Sequence, residues 1–298
     1  MNVNNVDICC GLAWGDEAKG KLISELLKKN NYDYVCRWSG GSNAGHTIFI
    51  DNIEYHTHLI PAGIFHNVTS VIGPDCYINI DDFKTELEYL KTNGFNIDLI
   101  KISPRAHIIT SEHILEDKNN SKNNTSTGKG ICPCAKDKFG RKGILVKDYF
   151  LEQYSSFIWD EKLSGNILCE GAQGFWLDIN YGNYPYITSS YTLPYTACSL
   201  GFPPQKIRDI YGAVKIYDTR VGKDPEFELS INESEKDILK QISIVGKEIG
   251  TTTGRNRGVN WLNLSKLIES INISGCTIIV ISKVDILENI NINKYKLL

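Results

Sequence analysis

A glycine-rich stretch near the start of the chain carries residue types that could hold a phosphate group. Residues 11–22 read Gly-Leu-Ala-Trp-Gly-Asp-Glu-Ala-Lys-Gly-Lys-Leu. They follow an apolar run, residues 6–10, that is typical of a buried strand, and they lead into leucines and an isoleucine spaced along one helix face. A loop between a strand and a helix presents backbone N–H groups to an anion, and lysines add positive charge. The stretch therefore predicts a phosphate-binding loop.

Within this stretch, residues 15–21 match G-x-x-x-x-G-K, the core of the P-loop pattern. Leu22 stands where a serine or threonine usually binds magnesium, so a metal ion needs another ligand. Asp16, inside the loop, is the carboxylate that could supply it. The alternative is an ordinary glycine-rich turn with two solvated lysines.

A second glycine-rich turn, residues 39–47, follows the predicted strand 34–38. Its glycines allow the backbone to approach a ligand closely. His46 in this turn could act as a general acid or as an electrostatic stabiliser. A solvated loop histidine is the alternative.

Three later segments also have compositions suited to anions or bases. Residues 125–143 combine hydroxyls, glycines and cations, which suits a phosphate monoester, with a flexible linker as the alternative. Residues 250–258 contain threonines and two arginines, and a guanidinium binds a carboxylate through two hydrogen bonds, which suits a dicarboxylate. Lys283 and Asp285, at the end of a predicted strand, could read guanine, because a carboxylate accepts from the base N1–H and 2-amino group.

Histidine and cysteine spacing does not predict a metal centre. His56, His58 and His66 offer no complete ligand set, so we interpret them as structural or surface residues. Nine cysteines occur without a paired C-x-x-C pattern, and several lie in apolar runs, which indicates buried reduced thiols.

The composition and net charge argue against a nucleic-acid-binding or membrane protein. The chain has 298 residues, 42% of them hydrophobic, and a net charge of −3, so no basic field indicates nucleic acid as a partner. The start lacks the basic and apolar regions of a signal peptide, and no apolar run approaches the length of a membrane span. We expect a cytoplasmic protein that binds neither nucleic acid nor membrane.

Predicted strands alternate with predicted helices along the chain. Strands are predicted at 68–73, 99–102, 167–169, 211–217 and 276–281, and a hairpin turns at Asp51 and Asn52. Helices are predicted at 235–248 and 262–271, and Asp81 or Asp82 is predicted to cap a helix that runs to Asn93. Residues 118–124 are polar and predict a surface loop. The pattern predicts an α/β fold: a P-loop-type, mainly parallel central sheet with helices on both faces and a small antiparallel addition.

Taken together, the motifs resemble those of the adenylosuccinate synthetase family. The resemblance runs in order from Val6 to Asp285 and rests on six separate signatures. These are residues 14–17 (WGDE), 43–47 (NAGHT), 127–131 (TGKGI), 170–174 (EGAQG), 219–222 (TRVG) and 252–255 (TTGR). The resemblance implies a single domain over residues 1–298, short at its C-terminal end.

The resemblance implies a ligase that condenses IMP with L-aspartate, using GTP and Mg²⁺. Asp16 would take the proton from purine N1 and bind the metal together with the Gly45 carbonyl. The purine O6 would attack the γ-phosphate while His46 stabilises the transfer, and the aspartate amine would then displace phosphate from C6. Positioning and charge neutralisation are what such chemistry requires.

The resemblance also assigns binding residues. Catalytic positions are Asp16, His46 and Gln173. Nucleotide-binding positions are Gly15, Glu17, Lys19, Gly20, Lys21, Lys283 and Asp285. IMP-binding positions are Asn43, Thr127, Arg141, Gln173, Thr188, Val221 and Arg255. Aspartate-binding positions are Thr251, Thr252, Thr253, Arg255 and Arg257. Arg141 matches an arginine that the family contributes across a dimer interface, which implies a homodimer.

The chain departs from the family pattern at several positions. Ala18 replaces a glycine, Ser126 a threonine and Lys129 an arginine, and residues 191–194 replace a Thr-Thr-Ala-Gly-Gly run. A phage branch of the family uses dGMP as the acceptor and tends to lose the loop aspartate. Retention of Asp16 favours IMP, while dGMP with GTP or (d)ATP is the alternative. A non-catalytic nucleotide-binding remnant is the third hypothesis, against which Asp16, His46 and Arg255 argue.

Overall fold

The computed structural model describes residues 2–120, 126–150, 154–229, 235–250 and 254–290. Its centre is an eight-stranded sheet in which every pairing is parallel. The order is β12-β9-β1-β8-β2-β5-β6, and β7 also pairs with β5. These strands are β1 (Val3–Gly11), β2 (Tyr34–Gly41), β5 (Thr69–Asn79), β6 (Ile100–Ile102), β7 (His107–Ile109), β8 (Gly165–Glu170), β9 (Ile207–Lys215) and β12 (Ile278–Ser282).

Two small antiparallel ribbons accompany the sheet. One pairs β3 (His46–Ile50) with β4 (Ile53–Thr57), and the other pairs β10 (Tyr217–Arg220) with β11 (Gly258–Trp261). The turn of the first ribbon is at Asp51 and Asn52, both with positive φ, as a two-residue type I′ turn requires. The predicted hairpin is confirmed.

Helices fill the connections between the strands. They are α1 (Lys19–Lys29), α2 (Ile80–Thr92), α3 (Ser111–Asn120), α4 (Ile131–Phe139), α5 (Val146–Tyr149), α6 (Pro225–Leu229), α7 (Lys236–Val245), α8 (Leu264–Ser274) and α9 (Val284–Asn289). Short 3-10 turns occupy several of the remaining loops.

The sheet separates two hydrophobic clusters, because successive strand side chains point to opposite faces. On β2, Val35 belongs to one cluster and Cys36 to the other. Helices α1 and α2 cover the first face with residues such as Ile23 and Phe83, and α8 covers the second with Leu267. The predicted α/β fold, a mainly parallel sheet with helices on both faces and small antiparallel additions, is confirmed.

Some predicted boundaries were wrong for identifiable reasons. Helix α2 is capped by Asn79, whose side chain accepts from the N–H groups of Asp81 and Asp82, so neither aspartate is the cap. The predicted loop 118–124 begins inside α3, which extends to Asn120; residues 121–124 lie outside the described part of the chain. The predicted strand 211–217 is divided between β9 and β10, which belong to different sheets.

All nine cysteines lie in the described part of the chain and are free thiols, and six of them are buried. The prediction of mostly buried reduced thiols is therefore confirmed. Among the described residues, none of the helices has the length and apolar character needed to cross a membrane.

A buried carboxyl ties the second ribbon to α8. Asp218 on β10 is 4% exposed and accepts a hydrogen bond of 2.9 Å from the backbone N–H of Asn263, next to the start of α8. Burial raises the pKa of this carboxyl to about 7, although the Asn263 N–H opposes the shift. Folding therefore favours the protonated acid, and the ionised form destabilises the folded state.

We predict that Asp218→Asn changes the pH dependence of stability. The raised pKa of Asp218 makes the folded wild type bind more protons than the unfolded chain between about pH 4 and pH 7. Its contribution to the unfolding free energy thus falls across this window and stays low above it. The unfolding free energy of the variant minus that of the wild type should therefore rise by roughly 1–4 kcal/mol from pH 4.5 to pH 8. Urea unfolding at both pH values measures this difference.

The exposed Asp160 provides the control for this experiment. For Asp160→Asn, the difference in unfolding free energy from the wild type should be the same at both pH values. An Asp218→Asn variant that behaved like this control would contradict the assignment.

Candidate active site

The carboxyl ends of parallel strands lie at one edge of the sheet, and the loops that leave them meet there. Residues 12–18 follow β1, residues 42–45 follow β2, and residues 171–174 follow β8. Since β8 lies between β1 and β2, the sheet order brings these three loops side by side. The first and third loops carry the predicted catalytic residues Asp16 and Gln173, and His46, the first residue of β3, directly follows the second loop.

Glycines allow the three loops to interlock. A Cβ at Gly20 would lie 2.9 Å from the Cβ of His46, and a Cβ at Gly40 would lie 3.2 Å from Oε1 of Gln173. A Cβ at Gly174 would lie 2.7 Å from the backbone nitrogen of Gly15. Real Cβ atoms essentially never come as close as the distances at Gly20 and Gly174, and Gly40 has a φ of 86°, which L-residues rarely adopt. Glycine at these positions therefore allows the segments to pack closely.

Aromatic rings extend this contact below the loops. Trp14, from the first loop, lies 6.3 Å from Trp176 and 5.1 Å from Phe227 between ring centroids. The Lys266 ammonium of α8 lies 4.2 Å from the centroid of the Trp176 ring, a cation–π contact. The loops therefore have a small apolar base, separate from the two main clusters.

Glu17 organises the phosphate loop from inside. Its Oε1 accepts from the N–H groups of Ala13 at 3.2 Å and Gly15 at 2.8 Å, and its Oε2 binds the Lys19 ammonium at 2.6 Å. Burial lowers the pKa of Lys19, but the Glu17 carboxylate raises it by more, so the amine stays charged. Lys21 is exposed on α1. The two predicted phosphate-binding lysines thus have different environments.

Asp16 lies at the open side of the loop. Its backbone has a φ of 62°, and its side chain is 28% exposed. Oδ2 of Asp16 accepts from Nε of Arg257 at 2.8 Å. The carboxylate is therefore held by a cation from a distant loop and stays accessible to a ligand.

His46 is buried against Glu170, at the end of β8. Nδ1 of His46 contacts Oε1 of Glu170, and Oε2 of Glu170 accepts from the Ala62 N–H at 2.7 Å. Burial raises the pKa of Glu170, but His46 and Arg37 lower it by more, so the carboxyl is ionised. Burial also lowers the pKa of His46 despite the carboxylate. The ionised Glu170 accepts a hydrogen bond from Nδ1–H of His46 and so fixes the orientation of the ring.

Nε2 of His46 and the side-chain amide of Gln173 are buried polar groups without hydrogen bonds to other described residues. In Gln173 this holds for both Oε1 and Nε2. Gln173 also adopts a positive φ of 56°. Buried polar groups normally have partners, so these atoms are suited to contact a polar substrate.

The turn with Asn43 and the loop with Thr127 are linked by one carboxylate. Asp82 on α2 accepts from the Ser42 hydroxyl and from the Lys129 ammonium at 3.1 Å. Asn43 itself accepts from the Gly41 N–H at 3.2 Å, which shapes the turn that leads to Gly45. These contacts bring two of the predicted IMP-binding segments together. Thr127 is exposed within its segment.

Three other residues predicted to bind IMP, Thr188, Val221 and Arg141, lie in different surroundings. Thr188 is partly buried and its N–H donates to the Leu177 carbonyl at 2.8 Å, and Val221 follows Arg220, whose Nη2 donates to the Tyr186 carbonyl at 2.6 Å. These bonds hold the segments of Thr188 and Val221 together. Arg141 is exposed, just after the end of α4, with a φ of 60°.

Backbone hydrogen bonds join the described ends of the segment predicted to bind aspartate. The Arg257 N–H donates to the Glu248 carbonyl at 3.0 Å, and the Gly250 N–H donates to the Arg255 carbonyl at 2.8 Å. Arg255 is partly buried. Thr251, Thr252 and Thr253 lie outside the described residues.

The predicted base-reading residues flank the start of α9. Lys283, with a φ of 63°, donates to the Gly246 carbonyl at 2.7 Å, and Asp285 is exposed in the first turn. The neighbouring Ser282 hydroxyl donates to the Glu17 carbonyl at 3.3 Å. This end of the sheet therefore lies next to the phosphate loop.

The remaining histidines make contacts that hold the fold. His66 bonds the Ser24 hydroxyl at 2.9 Å, and His58 bonds the Ala44 carbonyl at 3.0 Å. Within the described part of the chain, no group of three or more His, Cys, Asp or Glu side chains could hold a metal ion alone.

Sequence reasoning gave no role to several residues that organise the site. Glu170, Asp82 and Glu248 act through partners far along the chain: Glu170 and His46 are 124 positions apart. The only local signal was that Glu170 ends a strand and begins a glycine-rich turn.

The sequence model of the adenylosuccinate synthetase family matches residues 8–163 and 147–295. The adenylosuccinate synthetase of Flavobacterium psychrophilum is 37% identical over 341 aligned positions, which cover 95% of this chain and 79% of that protein. The Candida glabrata adenylosuccinate synthetase is 35% identical, with 95% and 79% covered.

Two solved structures share the fold. Fully ligated adenylosuccinate synthetase from Plasmodium falciparum has a TM-score of 0.82 and 30% identity, covering 95% of this chain and 78% of that one. The cyanophage S-2L succinoaminodeoxyadenylate synthetase, bound to dGMP and dATP, has a TM-score of 0.76 and 20% identity. Here the coverage is 97% of this chain and 89% of the phage chain.

Two neighbouring loop positions should respond oppositely to exchange of glycine and alanine. Gly20→Ala places a Cβ against His46 and the Thr47 carbonyl, at 2.9 and 3.0 Å, and should displace the His46 ring. We expect a loss of roughly 1–3 kcal/mol in unfolding free energy, from overpacking. Urea unfolding measures the loss, and a reduced affinity for a nucleoside triphosphate should accompany it.

Ala18→Gly is the matched variant. Ala18 has a φ of 69°, a conformation that costs an L-residue roughly 1–2 kcal/mol and glycine almost nothing. The greater freedom of unfolded glycine offsets part of this gain, so the unfolding free energy should rise by about 0–1 kcal/mol. Equal destabilisation by both variants would contradict the described loop contacts.

Proposed function

Since the chain belongs to the adenylosuccinate synthetase family, we propose that it is a GTP-dependent ligase that joins IMP to L-aspartate. The reaction forms a C–N bond at purine C6 and belongs to purine nucleotide biosynthesis. The observation that carries the proposal is the meeting of three loops at one sheet edge, which brings Asp16, His46 and Gln173 to one site. The family match covers residues 8–163 and 147–295.

In the first step, Asp16 accepts the proton from purine N1. The electron pair of that bond moves into the ring, and O6 becomes the nucleophile that attacks the γ-phosphorus of GTP. The bond from phosphorus to the bridging oxygen breaks, GDP leaves, and a 6-phosphoryl nucleotide forms. Asp16 suits this role because its carboxylate is partly exposed beside the phosphate loop.

His46 stabilises the charge on the transferred phosphoryl group. The Glu170 carboxylate holds Nδ1, which leaves the buried Nε2 to face the reacting groups. A proton on Nε2, supplied as the anionic nucleotide binds, would make it a hydrogen-bond donor to a phosphoryl oxygen. Gln173, with its buried amide, orients the purine.

In the second step, the aspartate amine attacks C6 and phosphate leaves with the electrons of the C6–O6 bond. The amine loses a proton and adenylosuccinate is formed. We assign Thr251, Thr252, Thr253, Arg255 and Arg257 to the aspartate carboxylates. The two guanidiniums suit a dicarboxylate because each can donate two parallel hydrogen bonds.

The remaining contacts follow the sequence signatures. We assign Asn43, Thr127, Arg141, Thr188, Val221 and Arg255 to IMP, with Gln173. We assign Gly15, Glu17, Lys19, Gly20, Lys21, Lys283 and Asp285 to GTP. Lys19 is buried and Lys21 is exposed, so the two ammonium groups can neutralise different phosphates of GTP.

Mg²⁺ fits the donors present. It binds oxygen, keeps several waters and usually takes one or two protein ligands besides substrate phosphates. The partly exposed Asp16 carboxylate and the Gly45 carbonyl form such a set, and the contact of Arg257 is with Oδ2 of Asp16. When bound, the ion neutralises charge on the transferred phosphoryl group.

We also propose a homodimer, in which Arg141 reaches the IMP phosphate of its partner. Arg141 is exposed, and the nearby Phe139 and Ile144 expose 65% and 39% of their surface, as residues at an interface between subunits would. A single domain over residues 1–298 and a cytoplasmic location complete the proposal, the latter supported by nine free thiols.

The alternative acceptor is dGMP, with GTP or (d)ATP as donor. In its favour, the chain covers 89% of the phage enzyme and 78% of the Plasmodium enzyme. Identity favours IMP, at 30% against 20%, and so does retention of Asp16, which leaves less room for a purine 2-amino group.

The test is phosphate release by the purified chain with Mg²⁺, L-aspartate and GTP, with IMP and dGMP offered separately. We expect release that requires IMP, aspartate and the metal. Asp16→Asn, which removes the proton acceptor, should lower kcat by about 10²–10⁴-fold. Release with dGMP alone would establish the alternative, and nucleotide binding without release would indicate a non-catalytic remnant.

The dimer proposal predicts complementation between two inactive variants. Arg141→Leu and Asp16→Asn should each lose most activity as homodimers. Mixed in equal amounts and allowed to exchange subunits, they should recover up to about a quarter of wild-type activity, because one hybrid site has both residues. Recovery is measured by phosphate release, with each variant alone as control. No recovery, despite subunit exchange shown by a tag, would exclude the shared site.

A further inference from the structure

A buried charged cluster lies next to Asp16, and the mechanism above uses only its Arg257. Its centre is Glu248, whose side chain is 0% exposed. Oε2 of Glu248 accepts from Lys215 at 2.8 Å and from Nη1 of Arg257 at 2.6 Å, and Oε1 accepts from the Tyr217 hydroxyl at 2.7 Å. Such a fully bonded carboxylate in the interior has one well-defined orientation.

The cluster joins elements that belong to different parts of the site. Lys215 ends β9 and its ammonium also bonds the Thr219 hydroxyl at 2.7 Å, which leads to the Val221 segment. Arg257 closes the turn that contains Arg255. Glu248 therefore connects the strand end, the second ribbon and the turn proposed to bind aspartate.

The Arg257 guanidinium is shared between two carboxylates. Nη1 donates to the buried Glu248 and Nε donates to Asp16, the proposed proton acceptor. The guanidinium is planar and rigid, so the position of one carboxylate fixes the direction in which the other edge points. The Arg257 backbone N–H bonds the Glu248 carbonyl as well, which fixes the base of the same side chain.

We propose that Glu248 is a positioning residue that holds the Arg257 guanidinium at the junction of the aspartate site and Asp16. It touches no substrate. It acts by setting where the cation lies when the dicarboxylate arrives and where Asp16 points when the purine arrives. The inference rests on the proposed function, because it concerns the residues of that site.

The neutral variant Glu248→Gln keeps the shape of the side chain and removes its charge. We expect the KM for L-aspartate to rise by roughly tenfold or more and kcat to fall by roughly tenfold or more, from loss of a charge-assisted hydrogen bond to Arg257. The KM values for IMP and GTP should stay within about threefold. Initial rates of phosphate release, with each substrate varied in turn, give these values.

A double-mutant cycle separates positioning from general support of the fold. In the background of Arg257→Lys, which cannot bridge two carboxylates, Glu248→Gln should add less than about a further threefold loss. A residue that only supports the fold would cause the same further loss in both backgrounds. The control is Glu116→Gln, which breaks the exposed ion pair with Lys136 and should leave all constants unchanged.

Glu248→Gln leaves the Lys215 ammonium without its buried counter-ion, which could prevent folding. The double variant Lys215→Met with Glu248→Gln removes both charges and still releases Arg257. It should fold and show the same rise in the KM for aspartate.

The outcomes separate the two proposals. If the wild-type chain releases no phosphate in the presence of aspartate, the proposed function is wrong, and so is the role proposed for Glu248. If the wild type is active, three results overturn only the inference: unchanged constants in the variants, equal increases in all three KM values, or additive losses in the cycle.

Discussion

The close approach of three loops at the carboxyl edge of the sheet is the constraint on which the site depends. β8 lies between β1 and β2, so the loops that follow these strands have to share a narrow space. Glycines 20, 40 and 174 make this possible, because Gly20 and Gly174 leave no room for a side chain and Gly40 adopts a positive φ. The side chains that we propose as catalytic, Asp16, His46 and Gln173, are thereby carried by adjacent segments at one edge of the sheet.

Ion pairs also fix the positions of side chains at this edge of the sheet. Carboxylates fix the side chains around the site by ion pairs: Glu17 holds Lys19, Glu170 holds His46, and Asp82 holds Lys129. Each holding carboxylate lies on a different element, so the orientation of the site depends on the whole sheet edge. The site is thereby set in advance, which is how phosphoryl transfer is accelerated without a covalent nucleophile.

Local patterns in the sequence predicted the fold and most of the loops. Apolar runs gave the strands and glycine-rich segments gave the turns, since both signals depend on neighbouring residues. The α2 cap was misplaced because Asn79 ends a strand and caps the helix at once. The pairing of Arg257 with Asp16 could not be predicted, because 241 positions separate them and the only link is the fold.

The indole pair beneath the loops has a further consequence. Trp14 belongs to the loop after β1 and Trp176 follows the loop of Gln173, so the contact between the two rings joins these two loops. The Lys266 ammonium near Trp176 adds a local electric field at one ring. Because the fluorescence of an indole depends on its surroundings, the emission of Trp14 and Trp176 depends on how these two loops pack against each other.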